Sequence, residues 1–230
     1  MKDFAEGASK KAAQRYKNSI SMDNHEEFRL GANTSRIYFE DPKLLLFTLS
    51  RYKFVSKMLS GRKNVLEVGC QEGFGAVLVA KEVSKLTCID FYVPHIKSCK
   101  DRFHGCSYDI SFSSRDILAG GSGNEEYDAA FSLDVLEHVD RDSEDLFMVN
   151  ILAELSVNAV VILGMPSLES QRYASERSKV GHVNCKSGEE LRNFGSRHLE
   201  NIAIFSMNDE VLHTGFFPMS QYLFLMGSKK

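Results

Sequence analysis

Val65-Leu66-Glu67-Val68-Gly69-Cys70-Gln71-Glu72-Gly73-Phe74-Gly75 reads as a buried strand that runs into a glycine-containing turn and then a helix. In an open α/β sheet, ligands lie beyond the carboxyl ends of the strands, and a turn poor in β-carbons lets the backbone approach them closely. The stretch therefore predicts a nucleotide-type site. Its spacing, Gly69-x-x-x-Gly73-x-Gly75, departs from the dinucleotide fingerprint G-x-G-x-x-G, because Gln71 and Phe74 stand where the second and third glycines belong. A pyrophosphate cradle is disfavoured.

Short apolar runs and helical segments alternate on either side. Upstream, Leu45, Leu49, Tyr52, Val55 and Leu59 recur at three- and four-residue intervals after Asp41-Pro42, which makes one apolar helical face that Gly61 ends. Downstream, strands are predicted at Leu86 to Asp90, Ile110 to Arg115, Tyr127 to Leu133 and Ala159 to Leu163. Helices fall at Gly73 to Val83, Pro94 to Phe103 and Ser143 to Leu155, with a Gly-rich turn at Gly120, Gly121 and Gly123. This order implies right-handed crossovers and a Rossmann-like, doubly wound, mostly parallel sheet. The last third reads as a helix from Ser187 to Arg197 and strands from Ile202 to Met207 and Gln221 to Met226. Two strands so close in sequence predict an antiparallel C-terminal edge strand.

Length and composition bound the rest. At 230 residues and 43% hydrophobic content, one domain is expected over residues 41–230, with residues 1–40 as a polar N-terminal helical extension serving as arm or lid. A net charge of -3, from 28 basic and 31 acidic side chains that intermingle, gives no broad footprint for nucleic acid, and none is expected as a partner. No apolar run approaches the roughly 20 residues of a membrane span. The five cysteines form no C-x-x-C pair, which fits buried thiols in a reduced, cytoplasmic protein rather than a disulfide framework or zinc ribbon.

The strand ends carry acids. Asp90 closes the second strand, 21 residues beyond Gly69, where a carboxylate can accept both hydroxyls of a ribose. Glu67 lies at the end of the first, suited to a cationic amino group, and Asp116-Ile117 follow the third, suited to an exocyclic amine and a ring face. Together they complement an adenosine that carries an amino acid. Alone, Asp90 or Asp116 would read as a helix N-cap.

Val65 to Gly75 resembles the first motif of class I S-adenosylmethionine-dependent methyltransferases, and Tyr127 to Val139 resembles their fourth-strand motif; the likeness spans roughly residues 60 to 200. It implies S-adenosylmethionine as cofactor, with the methionine half held by Glu67, Gly69, Cys70 and Gly73 and the ribose by Asp90, Phe91 lying beside the adenine. Asp116 and Ile117 match the adenine site, and Leu133 and Asp134 the backbone after the fourth strand. Gln71 departs from the pattern, which usually has glycine there.

Methyl transfer from a sulfonium is an in-line displacement that needs positioning more than a protein nucleophile, but an alcohol acceptor gains from a base. Histidine suits that role. His182, His138 and His213 fall where loops leave the carboxyl edge, and they are the catalytic candidates; His25, His95, His104 and His198 carry no partner pattern. Asp209, Glu210, His213 and Asp134 include possible metal donors, but their spacing is unspecific and no metal is assigned. Resemblance in Gly181 to Phe194 points to methyltransferases of sugars and quinone-type small molecules, hence to O-methylation of a small-molecule or glycan-like acceptor. Two alternatives stay open: an NAD(P)-dependent reductase, and a non-catalytic protein that keeps the fold to bind a partner.

Overall fold

A computed structural model describes residues 2–19, 27–121 and 127–230. His25 and Gly123 lie outside the described residues. An eight-stranded sheet is built from β1 (Asn64–Val68), β2 (Lys85–Asp90), β3 (Ile110–Ser114), β4 (Tyr127–Leu133), β5 (Leu155–Pro166), β6 (Leu199–Asn208), β7 (Val211–His213) and β8 (Tyr222–Lys229). Their spatial order is β3-β2-β1-β4-β5-β8-β6-β7. The first five are parallel; β8, β6 and β7 are joined by antiparallel pairings.

The last strand corrects one detail of the sequence reading. The terminal pair is antiparallel, as its short connection predicts, yet β8 does not sit at the edge but between β5 and β6. Leu223, Phe224 and Leu225 explain this: all three are fully buried, on alternate faces, and a strand apolar on both faces needs neighbours and cover on each side. The exposed, three-residue β7 takes the edge.

The period-2 alternation of the strands divides the core into two layers. Val65, Ala129, Phe131, Ile162 and Phe224 face one side, against α3 (Lys43–Met58), α4 (Ala76–Ala80) and α5 (Val93–Arg102). Leu66, Ala130, Val161, Leu163 and Leu223 face the other, against α6 (Glu144–Ala153) and α8 (Gly188–His198). A capping box between Ser187 and Glu190 starts α8. Ahead of the sheet stand α1 (Lys2–Ser19), whose described side chains are exposed, and α2 (Ala32–Glu40); α7 (Glu176–Gly181) lies in the loop after β5.

Strand order reverses between β1 and β4, which run side by side while their connections leave in opposite directions. A crevice beyond the carboxyl ends at such a switch point is where open α/β sheets bind ligands. The glycine loop leaves β1 there and Asp134 leaves β4.

Candidate active site

Gln71 adopts φ +49°, between Gly69 at +81° and Gly73 at +65°. The left-handed conformation costs a residue with a Cβ about 1–2 kcal/mol, which accounts for the usual preference for glycine at this position. The loop holds regardless, because its backbone is pinned. Gly69 and Cys70 donate N–H bonds to the carbonyl of Ile89 at 2.8 and 3.1 Å, and Gln71 donates its own to Asp90 Oδ2 at 2.8 Å.

Asp90 is buried, and its other oxygen accepts the N–H of Tyr92 at 2.8 Å. Each carboxylate oxygen thus holds one backbone donor and keeps acceptor capacity for a ligand hydroxyl. Beside it Phe91 is 73% exposed, an uncovered ring at the rim. Asp116 is exposed and caps the turn after β3, accepting the N–H of Leu118 through Oδ1 at 2.9 Å. Its neighbour Ile117 is buried among the core side chains.

The sequence places Glu67 at the rim, but the structure turns its side chain inward, because residue 67 shares the face of β1 that Val65 presents to α3. There Tyr52 donates its hydroxyl to Oε1 and Cys88 approaches Oε2 at 3.1 Å. Burial pushes the carboxyl up to about 7, against the opposing pull of these two hydrogen bonds. Burial raises the neighbouring Cys88 thiol as well, to about 12.

Glu72 faces the other way and reaches the N-terminal extension. It accepts the N–H groups of Asn33 and Thr34 and the Thr34 hydroxyl, all at 2.9 Å, so a loop acid caps the start of α2. Burial works to raise its pKa, but these donors outweigh burial and hold it below the usual carboxylate range. Gln71 adds a bond from Asn33 Nδ2 at 3.1 Å.

At the end of β4, Leu133 is buried and Asp134 adopts φ +57°. Arg51 Nη1, from α3, donates to both its oxygens at 2.9 and 2.8 Å, and the guanidinium lies 3.9 Å from the centre of the Tyr222 ring. Three residues on, Glu137 is 1% exposed and its Oε2 has no hydrogen-bond partner among the described residues. Burial, then the Asp134 charge, raise its pKa well above the carboxylate range.

Two of the three catalytic candidates converge on this turn. Val183 and Asn184 both donate N–H bonds to the Glu137 carbonyl, at 2.8 and 3.0 Å, which draws the long loop after β5 onto the turn after β4. Asn184 and Lys186 anchor the same loop on Glu144 at 2.9 and 2.6 Å. The rings of His138 and His182 consequently meet edge to face, with centres 5.2 Å apart. His138 Nδ1 bonds to the Gly181 carbonyl at 2.7 Å, an approach that a side chain at 181 would crowd, since a Cβ there would lie 3.3 Å from the ring. His182 is half-buried and its pKa is lowered by burial first and His138 second, with Asp134 opposing. His213 is not part of this group. It is exposed on β7 and lines a cavity of about 500 Å³ with Leu212, Phe216 and Met219.

Residues 65–156 match the family described as a methyltransferase domain. Over that stretch the chain carries a methyltransferase domain. No curated protein matches this chain. Among solved structures it is similar to the N-methyltransferase NodS from Bradyrhizobium japonicum WM9 in complex with S-adenosyl-L-homocysteine, with 20% identity, 84% of this chain and 90% of that chain covered, and a TM-score of 0.60. The methyltransferase domain of bacterial CtHen1-C is 19% identical over 80% of this chain and 98% of its own, with a TM-score of 0.64. The [4+2]-cyclase SpnF is 17% identical over 78% and 80%, with a TM-score of 0.60. At such identities likeness shows the fold alone. One of these neighbours is a cyclase, so the shared fold does not by itself fix the reaction.

Some of that site had no signal in the sequence. Tyr52 and Arg51 come from a helix whose periodicity marked only an apolar face, and their partners Glu67 and Asp134 lie 15 and 83 residues away. Glu137 did carry one: the spacing Asp134-x-x-Glu137-His138 puts two acids and an imidazole on one tight turn.

Proposed function

We propose that the chain binds S-adenosylmethionine across the carboxyl ends of β1 to β4 and transfers its methyl group to an oxygen of a small-molecule or glycan-like acceptor. The loop backbone at Gly69, Cys70 and Gly73 holds the methionine half, with Glu67 beneath it. Asp90 takes the ribose hydroxyls, Phe91 and Asp116 flank the adenine over Ile117, and the backbone at Leu133 and Asp134 closes the site. The groups at the rim support this: Asp90 keeps acceptor capacity on each oxygen, and Phe91 is an uncovered ring beside it.

The observation that carries the acceptor reading is the meeting of His138 and His182 beside the β4 exit, two rings 44 residues apart in the chain and 5.2 Å apart in space. The bound cofactor supplies an electrophilic methyl on a sulfonium. His182, its pKa lowered by burial, is neutral near pH 7 and takes the proton of an acceptor hydroxyl. His138 packs against it and orients the ring. His213, on the edge strand, borders an outlying cavity and contacts a distal part of the acceptor. Residues 41–230 act as one domain and residues 1–40 as the arm, tied to the glycine loop through Glu72. A reducing, cytoplasmic setting goes with this reading, since all five cysteines are free thiols and four are buried. Among the described residues no helix is long and apolar enough to cross a membrane.

Of the two alternatives, a reductase is disfavoured by the missing fingerprint glycines. A non-catalytic role loses its support from Gln71, which adopts the left-handed backbone that glycine would supply. Titration calorimetry with S-adenosylhomocysteine and with NADH tests the cofactor. Incubation with methyl-labelled S-adenosylmethionine and fractionated metabolite or glycan extracts tests the acceptor. Absence of S-adenosylhomocysteine binding would sink the reading, and a product labelled on nitrogen would sink the oxygen assignment.

A further inference from the structure

We propose that Glu137, His138 and His182 form a binding site for a first-row transition-metal dication, with open coordination positions facing the methyl acceptor. One ring nitrogen of each histidine and a carboxylate oxygen of Glu137 all lie within 4.8 Å of one another. An ion with ligand bonds of about 2.0–2.2 Å draws such a set together by small side-chain adjustments.

The two imidazoles already have the tautomer of metal ligands. Gln171 Nε2 donates to Ser167 O and Ser170 Oγ, both at 3.2 Å, so its amide oxygen is the atom 2.8 Å from His182 Nδ1. That oxygen can only accept, as can the Gly181 carbonyl 2.7 Å from His138 Nδ1. Both rings therefore carry their proton on Nδ1 and keep the lone pair on Nε2. A carbonyl or carboxylate on the far nitrogen is the usual partner of a metal-bound histidine, because it fixes the tautomer and aims the ring.

Glu137 supplies the second observation. Its Oε2 is buried, 1% of the residue being exposed, and among the described residues no donor reaches it. A buried carboxylate oxygen without a partner is costly, and a cation at this point removes the cost. Asp134 adds negative charge nearby, acting electrostatically on both Glu137 and His182. Two imidazoles and one carboxylate suit zinc, iron or manganese better than magnesium or calcium, and three protein ligands leave positions for a hydroxyl or water. Asp209, Glu210 and His213 lie apart from this group, on the β6–β7 hairpin at the far edge of the sheet.

Placement at the β4 exit rests on the methyl-transfer reading for its use. With an ion bound, His182 gives its lone pair to the metal and no longer serves as base. The acceptor hydroxyl coordinates the ion, loses its proton to solvent more readily, and its oxygen forms the new bond to the methyl carbon as the carbon–sulfur bond breaks with its electron pair left on sulfur.

The test reads metal directly. The full chain, stripped with chelator, is titrated with Zn²⁺ and Mn²⁺ by calorimetry and with Co²⁺ by visible absorption, alongside His182→Ala, His138→Ala and Glu137→Gln. One equivalent is expected to bind, with each substitution weakening it by about tenfold or more and a cooperative thermal melt retained. If Glu137→Gln fails to fold, the two histidine variants, on half-buried and exposed rings, carry the comparison. No binding by the parent chain, or binding unchanged in the histidine variants, overturns the proposal. Metal binding without S-adenosylhomocysteine binding would leave this site standing and overturn the methyltransferase reading instead.

Discussion

The backbone N–H of Gln71 donates to Asp90 Oδ2 at 2.8 Å, which ties the turn after β1 to the acid that ends β2. One carboxylate therefore holds the glycine loop in place and, in the function proposed above, also takes the ribose hydroxyls. On that proposal loop shape and ribose recognition meet at this residue, and its substitution has to register in both.

Asp90→Ala is expected to weaken S-adenosylhomocysteine binding by on the order of 2–3 kcal/mol through the lost charge-assisted contact. It also strips the N–H groups of Gln71 and Tyr92 of their acceptor, so the melting temperature falls too. Calorimetry and thermal denaturation on the same preparation check both. An unchanged dissociation constant would take Asp90 out of the site.

Gln71→Gly should be tolerated. Glycine relieves the left-handed strain at φ +49° but adds freedom to the unfolded chain, worth about 0.4–1 kcal/mol, and gives up the Asn33 contact. The net change in stability is expected to stay within about 1 kcal/mol, with cofactor affinity within a few fold. Gln71→Val, β-branched at positive φ, is expected to lose more than 1 kcal/mol. Equal stability of the two variants in denaturant titrations would refute the role given to this backbone.

Glu67 gives a pH signature. Its pKa in the folded protein, about 7, lies above the value of about 4.3 in an unfolded chain, so between those limits the fold holds more protons and stability falls as pH rises. The penalty is absent below about pH 4, grows up to about pH 7 and is then constant, at on the order of 3 kcal/mol. Glu67→Gln, neutral and of similar shape, removes it. Relative to the parent chain, the variant should gain stability from pH 5 to pH 8 in urea unfolding; parallel curves would mean that Glu67 is ionised throughout.

The central sheet was legible because its strands alternate: β4 was predicted residue for residue, and β1 from the apolar run before the glycine turn. The helix expected over Gly73 to Val83 shrank to Ala76–Ala80, since Gly73 is left-handed and Gly75 packs against the Tyr52 ring. A periodicity shows which face of a helix is apolar but not which loop lies under its polar residues. The pairings of Arg51 with Asp134 and Tyr52 with Glu67 therefore had to come from the packing. For the same reason Asp90 was readable from its place at a strand end, whereas the inward turn of Glu67 depended on which layer α3 covers.

His182→Ala tests the acceptor side. Loss of the group that accepts the hydroxyl proton, or that holds the ion which acidifies it, is expected to lower turnover by roughly 10²–10⁴-fold. S-adenosylhomocysteine affinity should change little, because His182 hydrogen-bonds Gln171 and packs on His138 rather than on the glycine loop. The pH dependence follows from the sign of the shift. The pKa of His182 is lowered from its ordinary value of about 6.5, so the neutral imidazole prevails at pH 7, and the acid limb of kcat in the parent chain must lie below that value. In His182→Ala that limb disappears with the imidazole. If it persists with the same midpoint and only the amplitude drops, the proton is taken by another group and His182 merely shapes the pocket.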